Sequence, residues 1–187
     1  MRRIRMVALA GGVALVAMAG ALAVEQAVGN LHEVVPGVVY RSGQLDAERL
    51  ARIADEFGIR SVLNLRGAAP GEEWYDSERA VSSAAGIVHA DFAMNSRELL
   101  PQERAEALIA LMRDLPKPIL IHCEHGSDRS GLASALFLAA VSGAGEAAAE
   151  AQLSIAFGHF SVPLLSGTWP MDESFERLEP MLGFPDS

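Results

Sequence analysis

A short apolar strand leads through a polar loop into a helix without a polar face, and this arrangement constrains the fold most. Ile119-Leu-Ile121 is wholly apolar, which is typical of a central strand covered on both faces. Residues 130–141 are apolar nearly all round, which predicts a buried helix. A strand and a helix that are both buried belong at the centre of a layered α/β domain.

The rest of the chain alternates predicted strands and helices. Strands are predicted at residues 38–40, 61–65 and 87–92, and helices at 47–57, 72–85, 101–115, 146–157 and 172–182. The alternation predicts an α/β fold with a central, mostly parallel sheet of about four or five strands flanked by helices. We assign this domain to residues 38–182, after a linker at residues 25–37. Ligands bind such sheets beyond the carboxyl ends of the strands, where the loop after Ile121 lies.

Residues 1–24 indicate an N-terminal apolar helix that anchors or exports the domain. Arg2, Arg3 and Arg5 precede residues 6–24, which carry no charge. As a helix this run spans roughly 28 Å, close to a bilayer core of about 30 Å, which favours a transmembrane anchor. Ala21-Leu-Ala23 also suits cleavage of a signal peptide, so both interpretations stay open.

Both interpretations place the domain on the same side of a membrane. Basic residues before an apolar run hold the N-terminus in the cytoplasm. We therefore expect a domain that is anchored through one N-terminal helix on the periplasmic or extracytoplasmic side. After cleavage near Ala23 it would instead be secreted or periplasmic.

Charge and cysteine content exclude several classes of site. The formal net charge of −9 makes binding to nucleic acid or to anionic lipid unfavourable. The single cysteine, Cys123, excludes an intramolecular disulfide and a paired-cysteine metal or redox site. The meaning of Cys123 therefore depends on its neighbours.

The loop His122-Cys-Glu-His-Gly-Ser-Asp-Arg-Ser130 contains the residues that can carry chemistry. A loop that enters a helix N-terminus aims several backbone N–H groups at one point, and the helix dipole adds to their attraction for an anion. Gly126 permits a backbone angle that a Cβ would hinder. We expect the loop to bind the phosphate of a substrate through Glu124, His125, Gly126 and Ser127.

The side chains of the loop predict nucleophilic catalysis. Thiolate is the nucleophilic form of cysteine, and an anion-binding loop stabilises it at Cys123. Arg129 can bind two phosphate oxygens with its planar fork. Ser130 can donate a hydrogen bond to the sulfur when a phosphocysteine is hydrolysed. We expect His122 to support the loop rather than to transfer a proton.

These motifs resemble the protein tyrosine and dual-specificity phosphatases. His122-Cys123, five intervening residues and Arg129-Ser130 match the signature of that family. Tyr40-Arg-Ser-Gly-Gln44 and Ile59-Arg-Ser-Val-Leu-Asn-Leu-Arg66 resemble its small bacterial dual-specificity-like members, many of which carry an N-terminal membrane segment. The resemblance covers roughly residues 30–175. It implies a cysteine-phosphatase fold and a phosphomonoester hydrolase that needs neither metal nor organic cofactor.

The general acid stays open among three carboxylates. Family members often place an aspartate on a loop about thirty residues before the cysteine. Asp91 has that spacing but lies in a predicted strand, and Glu98 lies in the loop that follows. Asp128 lies inside the phosphate loop, where some cysteine-dependent lipid phosphatases carry an aspartate. Because bound phosphate favours the protonated form of a nearby carboxyl, we rank Asp128 first, Glu98 second and Asp91 third.

The rim of the loop constrains the substrate. Glu124 stands where relatives often carry a lysine, and together with Asp128 it places negative charge around the rim, which disfavours a polyphosphorylated lipid head group. We expect a phosphorylated protein or a small phosphomonoester. Two alternatives stay open: a rhodanese-like sulfurtransferase, whose loop also begins with cysteine but usually lacks the Arg-Ser ending, and a pseudophosphatase that binds phosphate without efficient turnover.

Overall fold

A five-stranded sheet forms the centre of the domain. The computed structural model describes Gly20 and residues 29–184. The strands are β1 His32–Val35, β2 Val39–Ser42, β3 Ser61–Asn64, β4 Val88–Asp91 and β5 Ile119–His122, in the spatial order β1-β2-β5-β3-β4. β1 is antiparallel to β2, and the other neighbours are parallel. The sheet is therefore mostly parallel, as the alternation of strands and helices predicted.

Helices connect the strands at positions that the sequence signals mark. They are α1 Ala47–Phe57, α2 Glu73–Ala84, α3 Gln102–Asp114, α4 Asp128–Ala140, α5 Glu146–Glu150 and α6 Trp169–Leu182, with a 3-10 turn at Ile155–Phe157. Asp46 caps α1 by accepting a hydrogen bond from the backbone N–H of Arg49 at 2.8 Å. Gly58 ends the same helix in the left-handed conformation.

The apolar core lies on both faces of the sheet. Ile119 and Ile121 of β5 point into one cluster, which contains residues of α3, α4 and α6. Leu120, between them, points into the opposite cluster with residues of α1. The period of two expected for a strand thus explains why all three residues are apolar. α4 is buried along nearly its whole length, as its composition predicted.

Two segments differ from the sequence prediction. Part of the predicted linker, residues 32–35, pairs with β2 as the edge strand β1. The helix predicted at residues 146–157 ends at Glu150, and a separate 3-10 turn follows. The carbonyl oxygen of Gln152 accepts a hydrogen bond from the side chain of Arg41 at 2.8 Å instead of continuing a helical ladder. A contact with a distant residue therefore overrides local helix propensity.

The N-terminal prediction falls mainly outside the described residues. Apart from Gly20, the anchor or signal peptide expected at residues 1–24 is not described. Across the described part of the chain, none of the helices combines the length and the apolar character needed to span a bilayer.

Candidate active site

The cysteine loop leaves the sheet at the centre of its carboxyl edge. β5 lies between β2 and β3, and its last residue, His122, is in register with Ser42 on one side and Asn64 on the other. Residues 123–127 then lead into α4. The loop therefore lies beyond the carboxyl ends of parallel strands, where the sequence placed it.

Arg41 holds two peptide groups of the loop. Its side chain is fully buried, and Nη2 donates to the carbonyl oxygens of Gly126 at 2.9 Å and Ser127 at 2.8 Å. Nη1 donates to the carbonyl of Gln152, and the guanidinium lies 4.5 Å from the ring centroid of Phe157. Arg41 therefore ties the loop to the segment that follows α5.

Arg41 keeps its positive charge despite this burial. Burial lowers the pKa of Arg41 to about 10, while the charges of Cys123 and Asp128 raise it. The hydrogen bonds from Nη1 and Nη2 replace part of the water that a buried guanidinium loses. The cation therefore adds to the positive field of the loop amides.

The first half of the loop is held in the same way. The backbone N–H of Gln44 donates to the carbonyl of Glu124 at 3.0 Å, and Nδ2 of Asn30 donates to the carbonyl of His125 at 3.0 Å. In a trans peptide the carbonyl and the next N–H point in opposite directions. Because the carbonyls of residues 124–127 are all bound to surrounding groups, the amides of residues 125–128 turn towards the interior of the loop, where they can bind an anion.

Gly126 fits where no side chain can. Its φ of +75° lies in the left-handed region. A Cβ there would lie 2.5 Å from the backbone nitrogen of Gly43 and 2.7 Å from the carbonyl carbon of Ser42. Both conformation and space therefore require glycine at this position.

The structure brings the sulfur and the hydroxyl of the motif together. Cys123 is 2% exposed, and its Sγ lies 3.5 Å from Oγ of Ser130 in the first turn of α4. Arg129 precedes that serine and stays partly exposed, with Nη1 donating to the carbonyl of Met94 at 3.4 Å. Nη2 of Arg129 lies 3.8 Å from the exposed carboxylate of Glu124. The side chains that the motif predicts therefore lie around one loop, with the guanidinium held only weakly.

His122 supports the loop through a buried carboxylate. Its Nε2 lies 3.1 Å from Oε1 of Glu78, which also contacts Nε2 of His89 at 2.8 Å. Nε2 of Gln44 donates to the other oxygen of Glu78 at 2.8 Å. Burial raises the pKa of Glu78, but the hydrogen bonds from these side chains outweigh it and lower the pKa to about 2. Ionised Glu78 therefore links the end of β5 to β4 and to the segment between β2 and α1.

A comparison with protein families favours a phosphatase over a sulfurtransferase. The sequence profile of the tyrosine phosphatase family matches residues 25–150, which is most of the chain and includes the whole cysteine loop. The chain belongs to the tyrosine phosphatase family. It is a cysteine-dependent phosphatase, and Cys123 is its only cysteine.

Solved structures support the fold of this phosphatase. TpbA of P. aeruginosa is 17% identical with a TM-score of 0.63, over 84% of this chain and 92% of that chain. A cysteine-to-serine variant of TpbA in complex with pTyr is 17% identical with a TM-score of 0.59, over 84% and 91%. The core catalytic domain of the PP-IP phosphatase SIW14 of S. cerevisiae is 20% identical with a TM-score of 0.58, over 83% and 93%. None of the curated protein sequences matches the chain.

Two of the three candidate acids of the phosphatase lie outside the cysteine loop. Both oxygens of Asp91 are engaged, since Oδ1 accepts from Asn64 at 2.7 Å and Oδ2 accepts from Tyr75 at 2.7 Å. Glu98 accepts from Asn95 at 2.8 Å within the loop that follows β4. Glu98 also lines a cavity of about 390 Å³, together with residues that include Met94, Leu99, Arg104 and Met171.

Asp128 begins α4 and has a partner that sequence reasoning missed. Its Oδ1 lies 2.7 Å from Nδ1 of His159, whose Nε2 lies 2.9 Å from Oδ2 of Asp172. Sequence reasoning also missed Asn30 and Glu78 as supports of the loop. Nothing in the local pattern marks Asn30 and Glu78, because each acts on the loop across 44 residues or more.

Proposed function

We propose that Cys123 is the nucleophile of this phosphatase. Its thiolate attacks the phosphorus of a phosphomonoester, the bond to the leaving-group oxygen breaks, and a phosphocysteine forms. The observation that carries the proposal is the binding of the loop carbonyls of residues 124–127 by Gln44, Asn30 and Arg41. It leaves preorganised amides to stabilise the charge that develops on the phosphoryl oxygens.

Arg129 and Ser130 act beside the nucleophile in this proposal. Arg129 binds two phosphoryl oxygens and leaves its weak contact with Met94 when substrate enters. In the second step water attacks the phosphocysteine, the sulfur–phosphorus bond breaks, and phosphate leaves. Ser130 donates to the departing sulfur, which its distance of 3.5 Å from Cys123 favours.

Asp128 is proposed as the general acid. It is the candidate that lies within the phosphate loop, at the entrance of α4. Asp91 is the weakest candidate, because Asn64 and Tyr75 already occupy both of its oxygens. Glu98 is the second candidate, since its loop contacts Arg129 through the carbonyl of Met94.

The proposed substrate is a phosphotyrosine, a phosphoserine or a simple monoester. Glu124 lies 3.8 Å from Arg129, so the entrance to the loop is less positive than one that carries a lysine. A variant of TpbA was solved with pTyr, which supports an aryl monoester for this chain. SIW14 is described as a PP-IP phosphatase, but a highly charged inositol pyrophosphate would meet the carboxylates of Glu124 and Asp128 here.

We also propose that the phosphatase works outside the cytoplasm, attached to a membrane or released from it. The support is the sequence of residues 1–24, with its arginines ahead of an uncharged run. Protease added to intact cells after removal of the outer envelope should degrade the domain. Full protection of the domain until the cells are lysed would contradict this location.

The catalytic proposal is tested on the full-length chain with p-nitrophenyl phosphate. We expect turnover without added metal, inhibition by orthovanadate, and loss of turnover in Cys123→Ser and Arg129→Ala. Ser134→Ala is the control, because Ser134 is buried in α4 and makes no hydrogen bond through its hydroxyl within the described residues. Unchanged turnover in Cys123→Ser would refute the proposal.

A further inference from the structure

His159 joins the phosphate loop to the last helix through both ring nitrogens. The side chain is 1% exposed, with Nδ1 at 2.7 Å from Asp128 and Nε2 at 2.9 Å from Asp172. Both nitrogens donate only when the ring is protonated. A buried imidazolium therefore lies between one carboxylate at the start of α4 and another in the first turn of α6.

The charges around this ring keep it protonated at neutral pH. Burial lowers the pKa of His159, but the hydrogen bonds and charges of Asp128 and Asp172 outweigh it and raise the pKa to about 9. Burial raises the pKa of Asp172, and the hydrogen bond with His159 reverses this and lowers it. Arg41 is the other buried cation that interacts with Asp128. The imidazolium of His159 therefore lies between Asp128 and the ionised carboxylate of Asp172.

One carboxyl oxygen of Asp128, Oδ2, is available for proton transfer. His159 contacts Oδ1, and no hydrogen bond to Oδ2 is formed within the part of the chain that the structure describes. The side chain of Asp128 is 21% exposed, whereas His159 is closed off from solvent. A carboxyl group that is fixed through one oxygen and open at the other suits proton transfer to a bound substrate.

We propose that His159 is a positioning residue for the general acid. It fixes Asp128 through Oδ1 and stabilises the carboxylate that remains after Oδ2 has given its proton to the leaving-group oxygen. His159 keeps both of its own protons throughout. Asp128 regains its proton from the water that attacks the phosphocysteine, so the cycle balances. This inference rests on the proposed function, in which Asp128 is the acid.

The first test compares two leaving groups. Tyrosine has a pKa near 10 and needs protonation on leaving, whereas p-nitrophenolate leaves readily, so a defect of the acid affects phosphotyrosine more. We expect His159→Gln in the full-length chain to lower kcat/KM about tenfold more on phosphotyrosine than on p-nitrophenyl phosphate. The double variant with Asp128→Asn should be no worse than Asp128→Asn alone, because His159 acts through Asp128.

The second test is the pH dependence of kcat/KM on phosphotyrosine. His159→Gln removes the imidazolium beside the general acid, so the basic limb of the pH profile should move to higher pH. Asp172→Asn leaves the contact with Asp128 in place and should move the limb less. Glu173→Gln is the control, because Glu173 is the next residue of α6 and pairs with Arg177 instead.

The outcomes separate this inference from the proposed function. Equal losses on the two substrates, or losses that add in the double variant, would overturn the role of His159 while Cys123-dependent turnover remains. Full activity of Asp128→Asn on phosphotyrosine, with Cys123→Ser inactive, would overturn both the role of Asp128 and this inference. If His159→Gln does not fold by circular dichroism, Asp172→Asn decides, and an unmoved basic limb in that variant would also overturn the inference.

Discussion

The buried guanidinium of Arg41 donates to the carbonyl oxygen of Gly126 at 2.9 Å. The same nitrogen donates to Ser127, so one side chain fixes two successive peptide groups of the phosphate loop. In a trans peptide the N–H points away from the carbonyl oxygen, so these hydrogen bonds direct the next two amides towards the interior of the loop. Arg41 therefore orients the anion-binding amides from outside the loop.

The first prediction concerns the guanidinium group of Arg41. Arg41→Lys keeps a positive charge but offers one nitrogen in place of a planar guanidinium that spans several carbonyls. We expect the affinity for orthovanadate to fall by about tenfold to a hundredfold, because the amides lose their fixed direction. Inhibition constants measured on p-nitrophenyl phosphate check this. Arg113→Lys, on the exposed side of α3, is the matched control, and equal inhibition constants for the two variants would contradict the role of Arg41.

The second prediction separates backbone strain from lack of space. Gly126 and Gly143 both have positive φ, but a Cβ at Gly126 would meet the backbone of Gly43 at 2.5 Å, whereas one at Gly143 meets nothing within 4 Å. We expect Gly143→Ala to cost about 1 kcal/mol of unfolding free energy with activity unchanged. Gly126→Ala should abolish turnover and cost more, because the loop must move. Urea unfolding measures the stability of the two variants, and p-nitrophenyl phosphate hydrolysis measures their activity. A fully active Gly126→Ala would contradict the geometry of the loop.

Local patterns predicted the fold well because local and tertiary preferences agree in most elements. The apolar run of β5, the cap Asp46 and the left-handed Gly58 all lie where the pattern placed them. The edge strand β1 was missed because residues 32–35 lack the alternation of apolar and polar residues that distinguishes a strand from a linker. The helix after Gly145 was predicted too long because Arg41 takes the carbonyl of Gln152.

The site was predictable only in its contiguous part. The motif from His122 to Ser130 predicts the nucleophile and its neighbours, because consecutive residues at the end of one strand must lie together. Asn30, Glu78 and His159 reach the loop from distant segments, and no spacing rule relates them to it. Such supporting residues depend on tertiary packing, so only the three-dimensional structure identifies them.

The third prediction concerns the second chemical step. Ser130 lies 3.5 Å from the sulfur of Cys123, and its hydroxyl can donate to the thiolate as the phosphocysteine breaks down. We expect Ser130→Ala to keep a burst of p-nitrophenolate of about one equivalent but to lower the steady-state rate by about tenfold or more. Rapid mixing with p-nitrophenyl phosphate measures the two phases. Ser134→Ala, one turn further along α4, should change neither, and an equal fall of burst rate and steady state in Ser130→Ala would count against this role.

The fourth prediction concerns stability in acid. Glu78 has a pKa of about 2 against an ordinary value of 4.5, because hydrogen bonds from His122, His89 and Gln44 outweigh the effect of burial. A lowered folded pKa contributes stability above the unfolded value that is lost as pH falls through the folded one. The charge of Glu78 should therefore stabilise the fold by about 2–3 kcal/mol above pH 4.5, and less as pH falls towards 2.

The neutral variant Glu78→Gln isolates this contribution from that of other carboxylates. Urea unfolding at several pH values should give a stability difference from the wild type that is constant above pH 4.5 and narrows below it. If the difference in unfolding free energy stays the same from pH 6 to the lowest pH at which both proteins fold, the charge of Glu78 does not stabilise the fold.

The last prediction concerns stability in base and follows from the buried ring of His159. Its folded pKa is about 9 and its ordinary value 6.5, since the contacts with Asp128 and Asp172 outweigh burial. A raised folded pKa gives stability that is fully present below the unfolded value and is lost as pH rises through the folded one. The wild type should therefore lose up to about 3 kcal/mol of unfolding free energy between pH 6.5 and 9. In His159→Gln this loss should vanish, because glutamine does not titrate, and urea unfolding at half-unit steps of pH distinguishes the two curves. Parallel curves for wild type and variant would mean that the ring is neutral in the folded protein, and that Asp128 has no imidazolium beside it.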